Sequence, residues 1–404
     1  MPDDQTTPPE PSDATAGTPA VLSRKDLRQR HSGPSRTKWY VLAAVVVVLL
    51  VGGIMAAVLA GGATTKKKAA AVAVTTTTTT AVPVAVTTCP LTGTPAPGNV
   101  VPARPAVAIK IGNYTGDRPS DGLNQADIVF EEPVEGSYTR LVAVFQCQGA
   151  ALVGDLRSAR EPDIAILSQL SDPLFVHAGG IDPILNLLSE APIHDENILD
   201  GGTGSITINP SGRYAPYDDF TSTAKVWALI PSDLTPPTPL FTYSPAPPAD
   251  SIAGSGVSVH IPFSSEADVT WTWNPATSNY LRAYSGVPDK LVDGTVSSAT
   301  NVVVMTVDTF TGPWVENSEG AHEVMVTATG TGPVVVLRDG VAITGTWSRA
   351  SVTQPATLTA TDGAPITLQP GNTWEELVPQ GIPVTTTAAS APAASATTTT
   401  TTKA

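Results

Sequence analysis

An uncharged apolar run near the N-terminus is the feature that most restricts how this chain can be built. The run extends from Trp39 to Ala60 and contains no Asp, Glu, Lys or Arg. As an α-helix it would measure about 33 Å, enough to cross a hydrocarbon core of roughly 30 Å. Six basic residues precede it and three follow it, a bias that places the N-terminus in the cytoplasm. We therefore predict a single-pass protein of the cell membrane, with everything after Lys68 extracytoplasmic.

A cleaved signal peptide is the alternative interpretation of the same run. Such a peptide has a short apolar core close to the N-terminus, whereas 38 residues of mainly polar character come before Trp39. We therefore favour a retained signal-anchor, a transmembrane helix at 39–60. The membrane is then the one partner that the sequence predicts directly.

The segments around this helix, and the C-terminus, have compositions that cannot form a packed core. Residues 1–38 are rich in Pro, Ser and Thr and should form a disordered cytoplasmic tail. Residues 61–88 are rich in Thr and Ala and should form an extended stalk, and 381–404 repeat that composition as a disordered tail. On an exported chain such tracts are either plain spacers or O-glycosylation sites.

Between the stalk and the C-terminal tail, the first block of sequence alternates between two patterns. In residues 89–230, strand-like runs such as AVAIKI and TRLVAVFQCQ alternate with the helix-like segments PDIAILSQL, DPILNLLSEA and TAKVWALI. This alternation predicts a mixed α/β domain with helices packed on a sheet. A proline-rich linker follows at 231–254.

Residues 255–380 predict a second, mainly antiparallel β domain, because short β-branched runs are separated by glycine-rich turns. The runs that we interpret as strands are VTWTWN, NYLRAYSG, NVVVMTVDTF, HEVMVTATG, GPVVVLRDGVAITGTW, ATLTATDG and APITLQPG. Together, the two domains predict the α+β class for the extracytoplasmic part.

The charge balance excludes one class of partner. From Cys89 to Val384 the chain holds 12 basic and 31 acidic residues, a net charge of about −19. A region with this charge repels the phosphate backbone of nucleic acids. We therefore expect no nucleic-acid partner.

Two cysteines, Cys89 and Cys147, fall on the predicted exported side, where thiols are oxidised. We predict a disulfide between them, which would tie the start of the folded region to the strand that contains Cys147. Two free buried thiols are the alternative.

Arginines at inferred strand ends of the first domain are the strongest candidates for a binding site. Arg157, Ser158 and Arg160 precede the helix-like segment that begins near Pro162. Cations at a helix N-terminus oppose the helix dipole, and an anion held between them and free backbone amides would relieve that conflict. The alternative is ion pairing with nearby acids. The candidate acids are Asp155, Glu131, Glu132 and Glu135.

Three further arginines, Arg118, Arg140 and Arg213, fall in inferred turns or strand ends of the same domain. Because ligands gather at the strand ends of open sheets, we hypothesise that these arginines share a pocket with Arg157 and Arg160. The ligand would be a small anionic group or cell-wall material.

His177 ends the strand-like run PLFVHAG and is followed by Gly179 and Gly180. Histidine titrates in the range useful for acid–base work, but hydrogen bonding within the fold is the alternative role. The other exported histidines show no metal-ligand spacing, and no motif for a nucleophile occurs. We therefore expect no metal and no cofactor, and we assign no catalytic residue.

Several longer runs make a family resemblance visible. They are RPAVAIKIGNYTGDRPSDGLNQADIVFEEPV, GDLRSAREPDIAI, LFVHAGGIDP, RYAPYDDFTST, NYLRAYSGVP, GTGPVVVLRDGVAITGTWSR and NTWEELVP. Together they resemble the YerB-like family of bacterial envelope proteins, which has an N-terminal domain of unknown function and a β-rich companion. The opening CPLTG is similar to the actinobacterial branch. The resemblance covers nearly all of residues 98–380 and implies an envelope location without an established activity.

Two departures limit what this resemblance implies. Many relatives look like lipoproteins, whereas this chain has the apolar run described above. The family often shows Arg-x-Ala-Pro-His-Asn where this chain has RYAPYD, from Arg213 to Asp218. A role that depends on that histidine and asparagine therefore does not transfer.

Three functions follow as hypotheses. The leading one is an envelope protein, non-catalytic or of unknown activity, that binds an anionic or polar ligand through the arginines of the first domain. The second is a hydrolase or transferase that acts on cell-wall material with His177 and carboxylates as acid and base. The third is a scaffold that binds another envelope protein.

Overall fold

The structure of the protein is a computed structural model, and it describes residues 86–200, 206–210, 212–229, 234–248 and 251–389. The predicted membrane helix at 39–60, the cytoplasmic tail and nearly all of the predicted stalk lie outside these residues, as does the end of the C-terminal tail. In the described part of the chain, no helix is both long and apolar enough to cross a membrane.

Short helices form within the three segments that the sequence predicts to be helical. They are α1 (Glu161–Leu167), α2 (Asp182–Glu190) and α3 (Thr223–Trp227). At the start of α1, a carboxylate oxygen of Asp163 accepts a hydrogen bond of 2.7 Å from the backbone N–H of Arg160. At the start of α3, the hydroxyl of Ser222 accepts from the backbone N–H of Lys225. These side-chain caps satisfy amides that have no partner within the helix.

Strands dominate the described residues. In chain order they are β1 (Val107–Ile111), β2 (Ile128–Pro133), β3 (Thr139–Phe145), β4 (Val153–Gly154), β5 (Leu174–His177), β6 (His194–Asn197), β7 (Phe220–Thr221), β8 (Ser258–Pro262), β9 (Asp268–Asn274), β10 (Asn279–Tyr284), β11 (Val287–Pro288), β12 (Ser298–Ala299), β13 (Asn301–Val315), β14 (His322–Thr327), β15 (Gly330–Arg338), β16 (Val341–Arg349), β17 (Thr357–Ala360), β18 (Thr373–Pro379) and β19 (Thr385–Thr387). The described residues therefore form an α+β structure that is mostly β.

A single mixed sheet of eleven strands crosses the described region. Its order is β17-β16-β15-β13-β18-β2-β3-β1-β5-β6, and β14 pairs with β13 beside this path. Strand β18 lies between β13 and β2 and runs parallel to both. The sheet therefore combines strands from both halves of the sequence, and all described residues belong to one compact unit.

Each face of the large sheet is covered. One face packs against a second sheet of six strands, ordered β11-β10-β9-β8-β19 with β12 paired to β10. The apolar residues at this interface include Trp271 and Trp374, whose rings meet edge to face at 5.0 Å. The other face packs against α1 and α2 through Ile166 and Leu188. Because β3 is buried from Leu141 to Phe145, this part of the strand reads as a continuous apolar run rather than an alternating one.

The predicted disulfide is confirmed. Cys89 and Cys147 are joined by an S–S bond of 2.09 Å, with their Cα atoms 6.0 Å apart. The bond fastens the segment before β1 to the residues just after β3. The two cysteines are 58 positions apart in the sequence.

Candidate functional site

A small polar recess opens where three connections of the large sheet meet, and we call it the polar pocket. Its walls come from the loop after β1, the turn between β2 and β3, and the segment after β4. The recess has a volume of about 90 Å³. Its lining residues are Asn113, Tyr114, Asp117, Val134, Glu135, Tyr138, Thr139, Arg140 and Arg157.

Arg157 is held on one wall of the polar pocket by Asp117. The Nε and Nη2 atoms of Arg157 both donate to Oδ1 of Asp117, at 2.9 and 2.7 Å. Its Nη1 atom donates to the carbonyl of Pro216 at 3.2 Å. A side chain at Gly112 would collide with Asp117 and Arg157, so this ion pair lies directly against the backbone of the loop after β1.

Arg140 and Arg160 share the carboxylate of Glu135 on the opposite wall. Arg160 donates to both oxygens of Glu135 through Nε, at 2.8 Å, and through Nη2. The Nη2 atom of Arg140 lies 3.7 Å from Oε1 of Glu135. Burial on its own would raise the pKa of Glu135, but hydrogen bonds and charge from Arg160, with the charge of Arg140, lower that pKa to about 2. Glu135 is therefore ionised at any physiological pH.

The neighbouring arginines also affect Arg140 itself. Burial and the adjacent charge of Arg160 lower the pKa of Arg140 to about 10, and Glu135 opposes this change. Among the described residues, Arg140 donates one hydrogen bond, from Nη1 to the carbonyl of Ser158 at 2.8 Å. Several N–H groups of Arg140 therefore remain available to a ligand or to water.

The floor of the polar pocket is part of a buried network that reaches the second sheet. The Nδ2 atom of Asn113 donates to Glu131 Oε1 at 3.1 Å and to Thr139 Oγ1 at 2.7 Å. Tyr284, on β10, donates its hydroxyl proton to Oδ1 of Asn113. The other oxygen of Glu131 accepts a hydrogen bond from Arg282. The position of Asn113 is thus fixed by side chains from both sheets.

The remaining arginines predicted from the sequence surround the same loop. The guanidinium of Arg118 lies 3.9 Å from the centre of the Tyr284 ring. Arg213 donates to the carbonyl of Asp117 at 3.1 Å and also to that of Pro119. Of the five predicted arginines, Arg140 and Arg157 line the recess. Arg118, Arg160 and Arg213 do not line it, but each contacts a residue of its walls or of the network beneath it. Ser158 contributes its carbonyl, which accepts from Arg140.

His177 does not line the polar pocket. Its imidazole is buried at the end of β5, where Nδ1 lies 2.7 Å from the carbonyl of Gly179 and Nε2 lies 2.6 Å from Asp195. The ring stacks on Phe175 with 5.0 Å between centres. These contacts correspond to the alternative role, hydrogen bonding within the fold.

The two tyrosines and Asn113 are the part of the site that arginine spacing does not reveal. Tyr114 and Tyr138 meet edge to face at 4.9 Å, and Tyr114 is exposed. No periodic pattern in the sequence distinguishes these tyrosines or Asn113 from ordinary loop residues. Behind the Asp117–Arg157 pair, burial and the charge of Asp117 raise the pKa of Asp155 to about 8. Among the described residues, no group of His, Cys, Asp and Glu side chains is arranged to hold a metal ion.

Two family models match most of the described region. Residues 91–235 match the model described as "Protein of unknown function (DUF3048) N-terminal domain", and residues 259–374 match the model of its C-terminal domain. Together they span well over half of the chain. The chain belongs to the DUF3048 family.

Comparisons with individual proteins agree with this membership. The chain is 38% identical over 133 residues to the putative lipoprotein YerB of Bacillus subtilis (strain 168). That alignment covers 33% of this chain and 39% of the relative, which is less than half of the length of the relative. The predicted resemblance to the YerB-like family is thereby confirmed. Membership of its actinobacterial branch stays a prediction.

A crystal structure of YerB protein from Bacillus subtilis has a similar fold. The TM-score is 0.62 at 23% sequence identity, over 74% of this chain and 99% of that one. At this identity the comparison shows a shared fold alone, and it carries no information about a ligand.

Proposed function

We propose that this protein binds a small polar group of an envelope ligand in the polar pocket. The observation that carries the proposal is the balance of charge around an open recess. Asp117 and Glu135 provide two negative charges, and Arg140 and Arg157 provide two positive ones. A recess with this balance favours a group that offers both donors and acceptors, such as an amide, a hydroxyl or an amino-acid zwitterion, over a multiply charged anion.

The proposal includes an extracytoplasmic location and attachment to the membrane. A relative that carries the description of a putative lipoprotein supports membrane attachment, and the disulfide supports an oxidising compartment. The uncharged run from Trp39 to Ala60 supports attachment by a single helix rather than by lipid.

The arrangement of donors supports binding over a purely structural role. Arg157 keeps about a fifth of its side-chain surface exposed, at 21%, and Arg140 keeps 17%. Partly exposed guanidinium groups keep N–H donors within reach of a group that enters the recess. Here they line a recess whose mouth carries the exposed Tyr114.

Thermal unfolding of the full chain in detergent micelles tests this proposal. The ligands to be screened are soluble cell-wall fragments, free amino acids, neutral sugars, inorganic phosphate and a polyanion. We expect a neutral or zwitterionic compound to raise the unfolding temperature, by an amount equivalent to about 2.7 kcal/mol when its concentration is 100 times its Kd.

Paired variants assign any such effect to the pocket. Arg140→Gln with Arg157→Gln should abolish the ligand-dependent shift. The matched control is Arg104→Gln, since Arg104 stacks at 3.4 Å over Trp227 and donates to the carbonyl of Gln146, away from the pocket. A shift that survives the double substitution, or one produced by the polyanion alone, would contradict the proposal.

A further inference from the structure

Strand β13 is longer than the part of it that belongs to the centre of the large sheet. Residues 301–307 pair with β18, whereas from Asp308 onward the strand pairs with β14 alone. We call residues 308–327, which comprise these two strand segments and their turn, the arm. The arm packs against α1 and against the turn at Glu135–Ser137. Because an isolated two-stranded ribbon is only marginally stable, these contacts determine how firmly the arm is held.

Buried charges join the arm to the start of α1. On β14, Oε1 of Glu323 accepts a hydrogen bond of 3.1 Å from the backbone N–H of Glu161, the first residue of α1. In the turn of the arm, Oε2 of Glu316 lies 3.2 Å from Nη2 of Arg160. The side chains of Glu316 and Glu323 are 2% and 0% exposed. The arm therefore places two buried carboxylates at the end of a helix where backbone N–H groups lack partners within the helix.

The charges of this cluster do not balance when every acid is ionised. Arg160 also holds both oxygens of Glu135, and Arg140 lies 3.7 Å from the same carboxylate. Two guanidinium groups therefore face three carboxylates, those of Glu135, Glu316 and Glu323. The sum is one net negative charge, and burying an uncompensated charge is costly. One added proton brings the sum to zero.

The hydrogen bonds indicate where that proton lies. Oε1 of Glu316 and Oε2 of Glu323 are buried and accept no hydrogen bond from any described residue. The two side chains are nevertheless within hydrogen-bonding reach of each other. Ionised carboxylates only accept, so such a bond requires that one of the two is protonated. Burial, together with the hydrogen bond and charge of Glu316, raises the pKa of Glu323 to about 9, and Arg160 opposes this change.

Other ionisable groups around the arm do not supply this proton. On the side of α1, Asp163 pairs with Lys110 at 2.7 Å. Burial raises the pKa of the partly exposed Glu161, and a backbone hydrogen bond from Val326 opposes the change. Glu161 therefore adds to the effect of the buried pair in the same direction. The remaining ionisable groups of the arm, which are all exposed, are Asp308, Glu319 and His322.

We infer that the arm is a pH-dependent strap, closed by one proton that Glu316 and Glu323 share and released when that proton is lost. Once the arm is open, both carboxylates meet water and return to ordinary pKa values near 4.5. Opening therefore releases a proton between about pH 4.5 and 9, and rising pH favours it. Because Arg160 also holds Glu135, which lines the polar pocket, the strap bears on one wall of that pocket. The inference does not depend on a ligand there.

Hydrogen exchange of the full chain in detergent micelles, followed by mass spectrometry between pH 7 and 9, tests this inference. Protection factors are corrected for the intrinsic exchange rate at each pH. We expect the protection of arm peptides in the wild type to fall by up to about tenfold per pH unit, because opening releases one proton. Protection of the arm that does not change with pH would overturn the inference.

Variants assign the pH dependence to the buried pair. Glu323→Gln has the shape of the protonated acid, since its amide oxygen can accept from Glu161 and its NH₂ group can donate to Glu316. Its arm should stay protected and lose most of the pH dependence, and Glu316→Gln should behave alike. Peptides from β16 should respond to pH equally in wild type and variants.

Glu319→Gln, in the exposed turn of the arm, is the matched control and should retain the wild-type fall. Three results would overturn the inference. They are a fall in both buried variants as steep as in wild type, an arm unprotected at every pH in both, and loss of the pH dependence in the control.

Discussion

Arg282 is the charged residue that most closely links the two sheets. Its guanidinium is fully buried, 4.1 Å from the ring centre of Tyr284 and 4.8 Å from that of Trp374. Glu131 from the large sheet accepts one of its hydrogen bonds, and Asp289 accepts another at 3.2 Å. Buried ion pairs of this kind add little stability relative to apolar residues, but they are costly to break from one side.

Arg282→Met should lower the free energy of unfolding by about 3–5 kcal/mol, because it leaves Glu131 and Asp289 buried without their cation. Urea unfolding at neutral pH measures this loss. The double variant Arg282→Met with Glu131→Gln should recover part of it, since one unpaired charge is removed. A single variant within 1 kcal/mol of wild type would show that the network is more hydrated than its geometry indicates.

Glu375, on β18, should make stability depend on pH. Burial raises its pKa to about 7, with the charge of Arg349 opposing the change. The folded state therefore binds the proton more tightly than the unfolded state, whose pKa is near 4.5. Stability due to this group falls as pH rises from about 4.5 to 7, by up to about 3 kcal/mol.

Unfolding free energies of wild type and Glu375→Gln, measured between pH 4.5 and 8, test this expectation. The wild-type curve should fall more steeply with rising pH than the curve of the variant. Identical slopes would mean that Glu375 is not buried in the way described. Asp268→Asn, at a half-buried position whose carboxylate lies beside His260, is the control for a general effect of removing a charge.

At the scale of residues, the sequence predicts the arginines of the site better than it predicts the residues that contact them. The arginines follow from their scarcity in an acidic region and from their positions at strand ends. The sequence allows two roles for them, binding of a ligand and ion pairing with nearby acids. Arg160 forms such an ion pair with Glu135, one of the acids named above. Asn113 and Tyr284 meet across 171 positions of sequence, and spacing carries no information about such a contact.

At the scale of elements, the disulfide should contribute substantially to stability. It constrains a loop with a sequence separation of 58, and a bond across a loop of this size reduces the entropy of the unfolded chain considerably. Cys89→Ser with Cys147→Ser should therefore lower the free energy of unfolding by about 2–5 kcal/mol. Thermal and urea unfolding measure the loss, and Ala103→Ser, at an exposed position in the same loop, is the control. A loss below 1 kcal/mol would contradict the expectation.

Strand β18 is one of the elements that the sequence failed to predict, and its residues show why. The run TWEELVP places Glu375 and Glu376 side by side, and adjacent glutamates normally indicate a solvated segment. In the structure both are buried, and burial raises the pKa of each. The arginines whose charge opposes these shifts, Arg349 and Arg282, lie on other strands. By contrast, β-branched runs such as NVVVM predicted strands correctly. The side chains of such a run are themselves apolar, so their burial does not depend on a charged partner elsewhere in the sequence.

At the scale of the whole molecule, the shared sheet makes the first half dependent on the second. Strand β2 has β3 on one side and β18 on the other, so a fragment without β18 leaves the backbone groups along one edge of β2 unpaired. We expect a fragment of residues 86–254 to lack a cooperative thermal transition, whereas residues 86–389 should show one. Circular dichroism during heating measures the difference. A cooperative transition in the shorter fragment would show that the first half folds independently.

The position of β18 also determines when the protein can fold. Its residues, 373–379, occupy the middle of the sheet, between strands that are separated from one another by about 170 positions of sequence. The central pairing therefore cannot form until almost all of the folded region has been synthesised. Contacts of such long range slow folding. One of the last segments of the folded region to be synthesised is thus the one that joins the strands of its two halves.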